Sequence, residues 1–285
     1  MRLLIAGLSI EIVSGYTLSS FSQFEDFVSQ PNDVPADISI TLHQADSIEM
    51  PRGAAFLDDT NKWIVADDGS GDITVFQCSR RAPESEPIFV VQAKRDWTEA
   101  KVTFLKDNAN VAEEVMASIG NIIFRNRFAL KNGLVIHASA IVWNGKGILF
   151  TAPAGTGKST QSRLWCELQG ARIINDDSPS IRLVNGQPVV YGTPWSGAKP
   201  IFENASVPLS AIIVLEQAAQ NQICTLSTKD AVPMILPRCF LPYHDSTLLE
   251  KVISVFSEIV EIIPSYYLKC RPDNEAVRLV AECLR

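Results

Sequence analysis

Residues 147–170 constrain the architecture more than any other stretch of this 285-residue chain. An apolar run, Gly147-Ile-Leu-Phe-Thr151, enters Ala152-Pro-Ala-Gly-Thr-Gly-Lys-Ser159, and a helical run from Thr160 to Leu168 follows and stops at Gly170. The eight residues fit the phosphate-loop pattern, with alanine in place of the first glycine and Gly157-Lys158-Ser159 intact. The spacing has a mechanical reason. Gly155 and Gly157 let the backbone bend so that successive N–H groups face a phosphate, and the helix that starts near Lys158 adds its positive dipole end. On this reading Ala154, Gly155, Thr156, Gly157, Lys158, Ser159 and Thr160 cradle a nucleotide. Lys158 reaches the outer phosphates and the Ser159 hydroxyl ligates magnesium.

One helix later, Ala171-Arg-Ile-Ile-Asn-Asp-Asp177 reads as a strand with two carboxylates at its carboxyl end, the edge that faces the ligand crevice in an open sheet. Such a pair has two roles available: one aspartate holds magnesium, directly or through water, and the other accepts a proton from an attacking hydroxyl. Asp-Asp-Ser-Pro is also an ordinary turn sequence.

Composition excludes several other functions. Hydrophobic residues make up 46% and charged residues 20%, which describes a folded protein and not a disordered or fibrous one. A net charge of -7 offers no global positive field to a nucleic-acid backbone or an acidic membrane, so neither is expected as a partner. Six scattered cysteines form no CxxC pair, and His43, His137 and His244 do not reach zinc spacing. No run approaches the ~18 apolar residues of a membrane-spanning helix. The opening Met1-Arg-Leu-Leu-Ile reads as a first strand and not a signal peptide, and the expected location is the cytoplasm.

Residues 1–108 carry short alternating runs (Leu3 to Val13, Ile38 to Leu42, Lys62 to Ala66, Ile73 to Cys78, Ile88 to Gln92, Lys101 to Leu105) separated by turn-rich punctuation. They predict a small β-rich, mostly antiparallel domain, with one helix from Ser20 to Gln30. A helix from Asn110 to Leu130, capped from Asn108-Ala-Asn110, opens a second domain over 109–285. There, Leu134 to Val142 and Gly147 to Thr151 flank Asn144-Gly145, a strong two-residue hairpin turn. Strands at Ala211 to Glu216 and Ser265 to Cys270 follow, with helices at Lys229 to Leu236, Thr247 to Ile259 and Asn274 to Leu284. Glu216 and Arg238 read as ordinary surface charges. The fold class is α/β locally and α+β overall.

His137-Ala-Ser-Ala, Gly155-Thr-Gly-Lys-Ser-Thr160 and Asn175-Asp-Asp177, in this order and this close together, resemble the HPr kinase/phosphorylase family and its P-loop relatives, related in fold to phosphoenolpyruvate carboxykinases. The resemblance is specific over roughly Leu134 to Lys199. It implies a mixed-sheet kinase domain in which His137 and Asp176 sit together near the transferred phosphoryl group, with Asp177 on the magnesium side. It further implies ATP and Mg2+ as cofactors, a serine or threonine hydroxyl of a protein or peptide as acceptor, or a small hydroxylated metabolite, and an assembly of identical subunits. The Leu-Glu-Ile-Arg-Gly segment of the bifunctional enzymes is missing, which puts phosphorylase activity and HPr itself in doubt. In its place stands Tyr191-Gly-Thr-Pro-Trp-Ser-Gly-Ala-Lys-Pro200. This segment reads either as a rigid substrate loop, with Trp195 as a stacking face and Ser196 and Lys199 on phosphate or acceptor, or as a structural turn with a buried tryptophan. Two other classes stay open: a nucleotide-binding scaffold without transfer, and a small carboxykinase-like enzyme acting on an oxo acid.

Overall fold

The computed structural model describes residues 1–15, 22–30, 34–49, 54–57, 64–67, 72–79, 82–105, 116–197 and 199–284. The chain divides into two units, Met1–Leu130 with Pro242–Ser246, and Lys131–Leu241 with Thr247–Arg285. This division falls at Leu130, beyond the helix that opens the second domain in the sequence reading.

The first unit is an eight-stranded sheet in the order β1-β2-β3-β8-β7-β6-β5-β4. Its strands are β1 (Arg2–Ile5), β2 (Leu8–Ser14), β3 (Ile38–Ala45), β4 (Ala54–Leu57), β5 (Ile64–Asp67), β6 (Asp72–Ser79), β7 (Ala82–Lys94) and β8 (Glu99–Leu105). Leu3 to Val13 is two strands and not one. Ala6 and Gly7 both take positive φ (49° and 76°), the pair of left-handed residues that a tight hairpin turn needs. Alternation decides the faces of β3 and β8. Ile38, Ile40, Leu42, Ala100, Val102 and Phe104 are buried, whereas Thr41, Glu99 and Lys101 are exposed. The sheet is less antiparallel than the punctuation suggests, because β3 runs parallel to both β2 and β8. Turn residues announce hairpins, but they do not show where a strand returns after a long connection. The segment within Ser20 to Gln30 is a 3-10 helix over Ser22–Phe27 that buries Phe24 and Phe27. The helix within Asn110 to Leu130 is a single π turn, Met116–Gly120, continuing into α1 (Asn121–Ala129). The proposed cap at 108–110 lies outside the described residues.

The second unit has nine strands: β9 (Gly133–Val135), β10 (Ala138–Trp143), β11 (Lys146–Thr151), β12 (Arg172–Asn175), β13 (Ser180–Val184), β14 (Gln187–Tyr191), β15 (Ser206–Gln217), β16 (Gln222–Leu226) and β17 (Ser265–Cys270). Their order is β12-β10-β11-β15-β14-β13-β9, with β17 also beside β15 and β16 beyond it. Long β15 belongs to both halves of the sheet. Its first residues pair antiparallel with β14, and its later ones run parallel to β11 and β17. The β10–β11 turn is as expected, with Asn144 at φ 50° and Gly145 at φ 74°.

Among the described residues, four α-helices, α2 (Lys158–Gln169), α3 (Thr228–Ile235), α4 (Ser246–Ile262) and α5 (Asn274–Cys283), and a 3-10 turn, Leu236–Arg238, complete the unit. α2 lies on β10, β11 and β12 and against α5. Its inner stripe is Lys158, Gln161, Ser162 and Trp165, the i, i+3, i+4, i+7 spacing of one helical face. Trp165 fills the core between Phe150 and Trp143, meeting the Trp143 ring edge-on at 5.2 Å. Gly170 closes the helix at φ 63°. The chain is therefore an α+β protein with two mixed sheets, and among the described residues no helix is long and apolar enough to cross a membrane.

Candidate functional site

The run from Leu134 to Val142 looks continuous in sequence but breaks at Ile136-His137. β9 pairs with β13, and β10 pairs with β11 and β12. At the break the His137 N–H donates 2.7 Å to the Arg238 carbonyl, Phe240 N–H donates to the Val135 carbonyl, and Thr151 Oγ1 donates to the His137 carbonyl. A residue at such a switch has its backbone fully committed while its side chain leaves the sheet plane, so His137 is presented and not absorbed into the core.

Lys158 opens α2 directly after the left-handed glycines Gly155 (φ 77°) and Gly157 (φ 112°). Gly157 provides no side-chain cap, so the first-turn N–H groups of α2 are not satisfied by a capping side chain. The Lys158 side chain is only 7% exposed and turns back over its own loop. Its Nζ donates to the Ala152 carbonyl (3.1 Å) and the Pro153 carbonyl (3.4 Å) and lies 3.0 Å from His137 Nε2. On the other side of the ring, His137 Nδ1 is 3.1 Å from Asp177 Oδ1. An ammonium can only donate, so Nε2 accepts and Nδ1 carries the proton toward Asp177.

Burial is the largest influence on Lys158 and lowers its pKa, and the nearby Arg238 charge acts in the same direction. Asp177 and Asp176 oppose them without prevailing. For Asp177 burial again disfavours charge. The His137 ring, through its hydrogen bond and electrostatic attraction, outweighs it together with the Ser178 hydroxyl and Lys158, and holds the carboxyl below its ordinary range.

Asn175, fully buried, builds the carboxylate turn. Its Oδ1 accepts from the N–H groups of Asp177 (2.9 Å) and Ser178 (2.7 Å), while its Nδ2 donates to Thr193 and to the Trp195 carbonyl. This arrangement bears on two points of the sequence reading. His137 is partnered by Asp177 and not by Asp176. The reason is register: Ala140 opposes Asn175, and Ala138 N–H donates to the Asp177 carbonyl at 3.1 Å, so Asp177 is the carboxylate brought beside His137. Trp195 is 4% exposed, as in the second of its two sequence readings, a structural turn with a buried tryptophan, and its carbonyl holds Asn175. Of the other rim residues, Ser196 is half-buried and Lys199 exposed, with the Lys199 carbonyl accepting from Ile201 N–H. Gly197 lies against Asp177, so the rim loop does reach the carboxylates. Asp176 Oδ1 is buried without a hydrogen-bond partner.

Arg238 is the residue the sequence reading missed. It lines a cavity of about 620 Å³ with the loop residues Ala152 to Thr156, and its charge acts on Lys158. Nothing in its immediate sequence marks it. The strand break that recruits its carbonyl to His137 is a long-range pairing. Glu216, the other charge read as bland, also lines this cavity and is bonded to the Tyr267 hydroxyl.

No three His, Cys, Asp or Glu side chains converge as a metal cage among the described residues. A magnesium ion does not need one, since it keeps waters and phosphate oxygens and takes one or two protein oxygens. A charged Asp177 and the orphaned Asp176 Oδ1 suit such a hard cation.

Residues 104–271 match the family described as SynChlorMet cassette protein ScmC, a match across more than half of the chain. The chain belongs to the ScmC family. No curated protein matches it. Among solved structures, the Hpr(Ser) kinase/phosphatase from Coxiella burnetii is 16% identical at a TM-score of 0.30, over 53% of this chain and 92% of that one.

Proposed function

We propose that this ScmC protein is a P-loop phosphotransferase that moves the terminal phosphoryl group of a nucleoside triphosphate to a hydroxyl. The observation that carries the reading is the buried Lys158 ammonium, held by a histidine and two carbonyls at the end of a left-handed glycine loop, with Arg238 adding like charge. A buried cation whose pKa is lowered by burial and by a neighbouring like charge is stabilised by an anion, and the loop amides and the α2 dipole favour the same occupant.

In this reading Ala154 to Thr160 hold the phosphates. Lys158 leaves its loop carbonyls for the outer phosphates, and with Arg238 it stabilises the charge spread over the transferring group. Ser159 and Asp177 would hold magnesium, which neutralises the phosphate charge when bound. The acceptor oxygen bonds to the terminal phosphorus, the bond to the bridging oxygen breaks, and the nucleoside diphosphate leaves with those electrons. The hydroxyl proton passes to Asp176, whose unpartnered Oδ1 is the free acceptor of the pair. His137, fixed by Asp177, positions Lys158. A serine or threonine of a protein or peptide suits this chemistry, as does a hydroxylated metabolite.

The test is thermal unfolding with magnesium and ATP, GTP or tripolyphosphate, followed by labelled-phosphate transfer to hydroxyl peptides. A ligand-dependent rise in midpoint that Lys158→Ala removes is the expected result. Absence of any rise would refute the reading. A rise with no transfer to any acceptor would favour a nucleotide-binding scaffold.

A further inference from the structure

The 620 Å³ cavity beside the loop falls within the range of about 300–1,000 Å³ typical of small-ligand pockets. Its lining combines two chemistries. Arg238, Glu216, Gln217 and the loop residues Ala152 to Thr156 are the charged and polar part. Leu215 from the carboxyl end of β15, Met234 from α3 and the Tyr267 ring from β17 are the apolar part.

The Tyr267 ring is already fixed. Its hydroxyl donates to Glu216, and the Lys269 ammonium lies 5.7 Å from the ring centroid and 3.5 Å from Glu216. That ion pair largely neutralises the one carboxylate among the described lining residues. The apolar side chains thus form a slot with one aromatic wall, in the same cavity as the Arg238 cation and the loop.

Strand order decides which part of the reaction it serves. The groups that would receive the acceptor hydroxyl, His137, Asp176 and Asp177, come from the β10 and β12 side of β11. The apolar lining comes from β15 and β17, on the opposite side. Phosphoryl transfer keeps the entering and leaving oxygens roughly in line, so acceptor and leaving group approach from opposite flanks.

Resting on the phosphotransferase reading above, we infer that the cavity is the nucleoside subsite of the phosphoryl donor. Leu215, Met234 and Tyr267 enclose the base, and Arg238 lies where the base gives way to the phosphates. Glu216, bonded to Tyr267 in the same lining, accepts from an exocyclic amine or a ribose hydroxyl.

The experiment is calorimetric titration with ATP and, separately, inorganic tripolyphosphate, both with magnesium, on wild type, Met234→Trp and Tyr267→Ala. Wild type should bind ATP about tenfold or more tightly than tripolyphosphate, a difference the base and ribose must supply. Met234→Trp, which fills the slot, and Tyr267→Ala, which removes its wall, should each remove that advantage and leave tripolyphosphate affinity unchanged. Equal affinity of wild type for both ligands, or ATP binding unaltered in both variants, would overturn the assignment and leave the cavity to the acceptor. If wild type binds neither ligand, the phosphate-loop reading fails and this inference falls with it. Loss of tripolyphosphate binding in Lys158→Ala alone separates the two, because that change leaves the slot intact.

Discussion

Lys94 and Lys158 are the same residue type in opposite circumstances, and the contrast separates surface chemistry from a site. Lys94, at the end of β7 in the first unit, is exposed and bonded to Glu99, and that bond raises its pKa. Lys158 is buried, has no carboxylate in direct contact, and is shifted downward. The polar face that holds Lys94 also carries Asp72, Glu99 and Lys101, both signs intermixed on solvated strands. Such pairs contribute little to stability, because water screens them and ordering them costs side-chain entropy. In the second unit, Lys158, Arg238, Asp176 and Asp177 are gathered where solvent is scarce, and one of their atoms, Asp176 Oδ1, has no partner. Buried charge left incompletely neutralised is costly for folding alone, so a ligand is its natural complement.

The sharpest break of this contrast is Lys158→Ala. If the proposed chemistry holds, transfer should fall about 10²–10³-fold, the scale of losing one preorganised electrostatic group, and the nucleotide-dependent rise in unfolding midpoint should vanish. Steady-state kinetics and thermal scans check both. Lys94→Ala should change neither measurement.

The frame that holds the carboxylates can be broken without touching a charge. A Cβ at Gly192 would stand 2.0 Å from the Glu203 carbonyl oxygen and 2.5 Å from that of Ile174. Both obstacles are backbone, and they cannot rotate away. Gly192→Ala should therefore cost about 3 kcal/mol in urea unfolding, at the upper end of ordinary overpacking. Gly197→Ala, whose Cβ would meet Asp177 at an ordinary 3.6 Å, should cost far less. Asn175→Ala comes next. It removes two acceptor bonds that set the Asp177 turn and the donors to Thr193 and Trp195, at about 2 kcal/mol for groups left unsatisfied in a buried position.

Sequence carried the loop, the Asn144-Gly145 hairpin and the β12 carboxylates because each is a local pattern with its own backbone requirement. It did not carry the placement of His137, which depends on a strand break made by pairing with residues 179 and 238–240. For the same reason it did not show that His137 bonds to Asp177, and it left Arg238 on the surface. Trp195 differs, because the sequence left open whether it is a stacking face or the buried tryptophan of a turn. Its neighbours Pro194 and Gly197 announce a turn, but burial of the ring follows from how that turn packs on Asn175, which no local pattern encodes.

The smallest effect tests the His137–Asp177 pair through pH. Asp177 is held below its ordinary value of 3.8, so in the folded state it stays ionised to lower pH than in the unfolded chain. Its stabilisation is complete above about pH 4 and is lost as pH falls through the lowered value, because the unfolded state then binds the proton first. His137→Gln removes the main group favouring the charged form, so the variant should be less stable than wild type at neutral pH, with a flatter acid limb on which the two curves converge. Lys158 has the opposite sense. With its folded pKa lowered, the buried charge penalises the folded state at neutral pH, and that penalty is relieved as pH rises toward 10.5. Lys158→Met should accordingly unfold at a slightly higher midpoint than wild type at pH 7 without ligand, with the gap closing at alkaline pH. Lys94→Met, at an exposed pair whose pKa is raised, should show no such gap. Equal behaviour of the two lysine variants across pH would mean that the Lys158 charge is as well solvated as that of Lys94, and the physical ground for an anion site beside it would be lost.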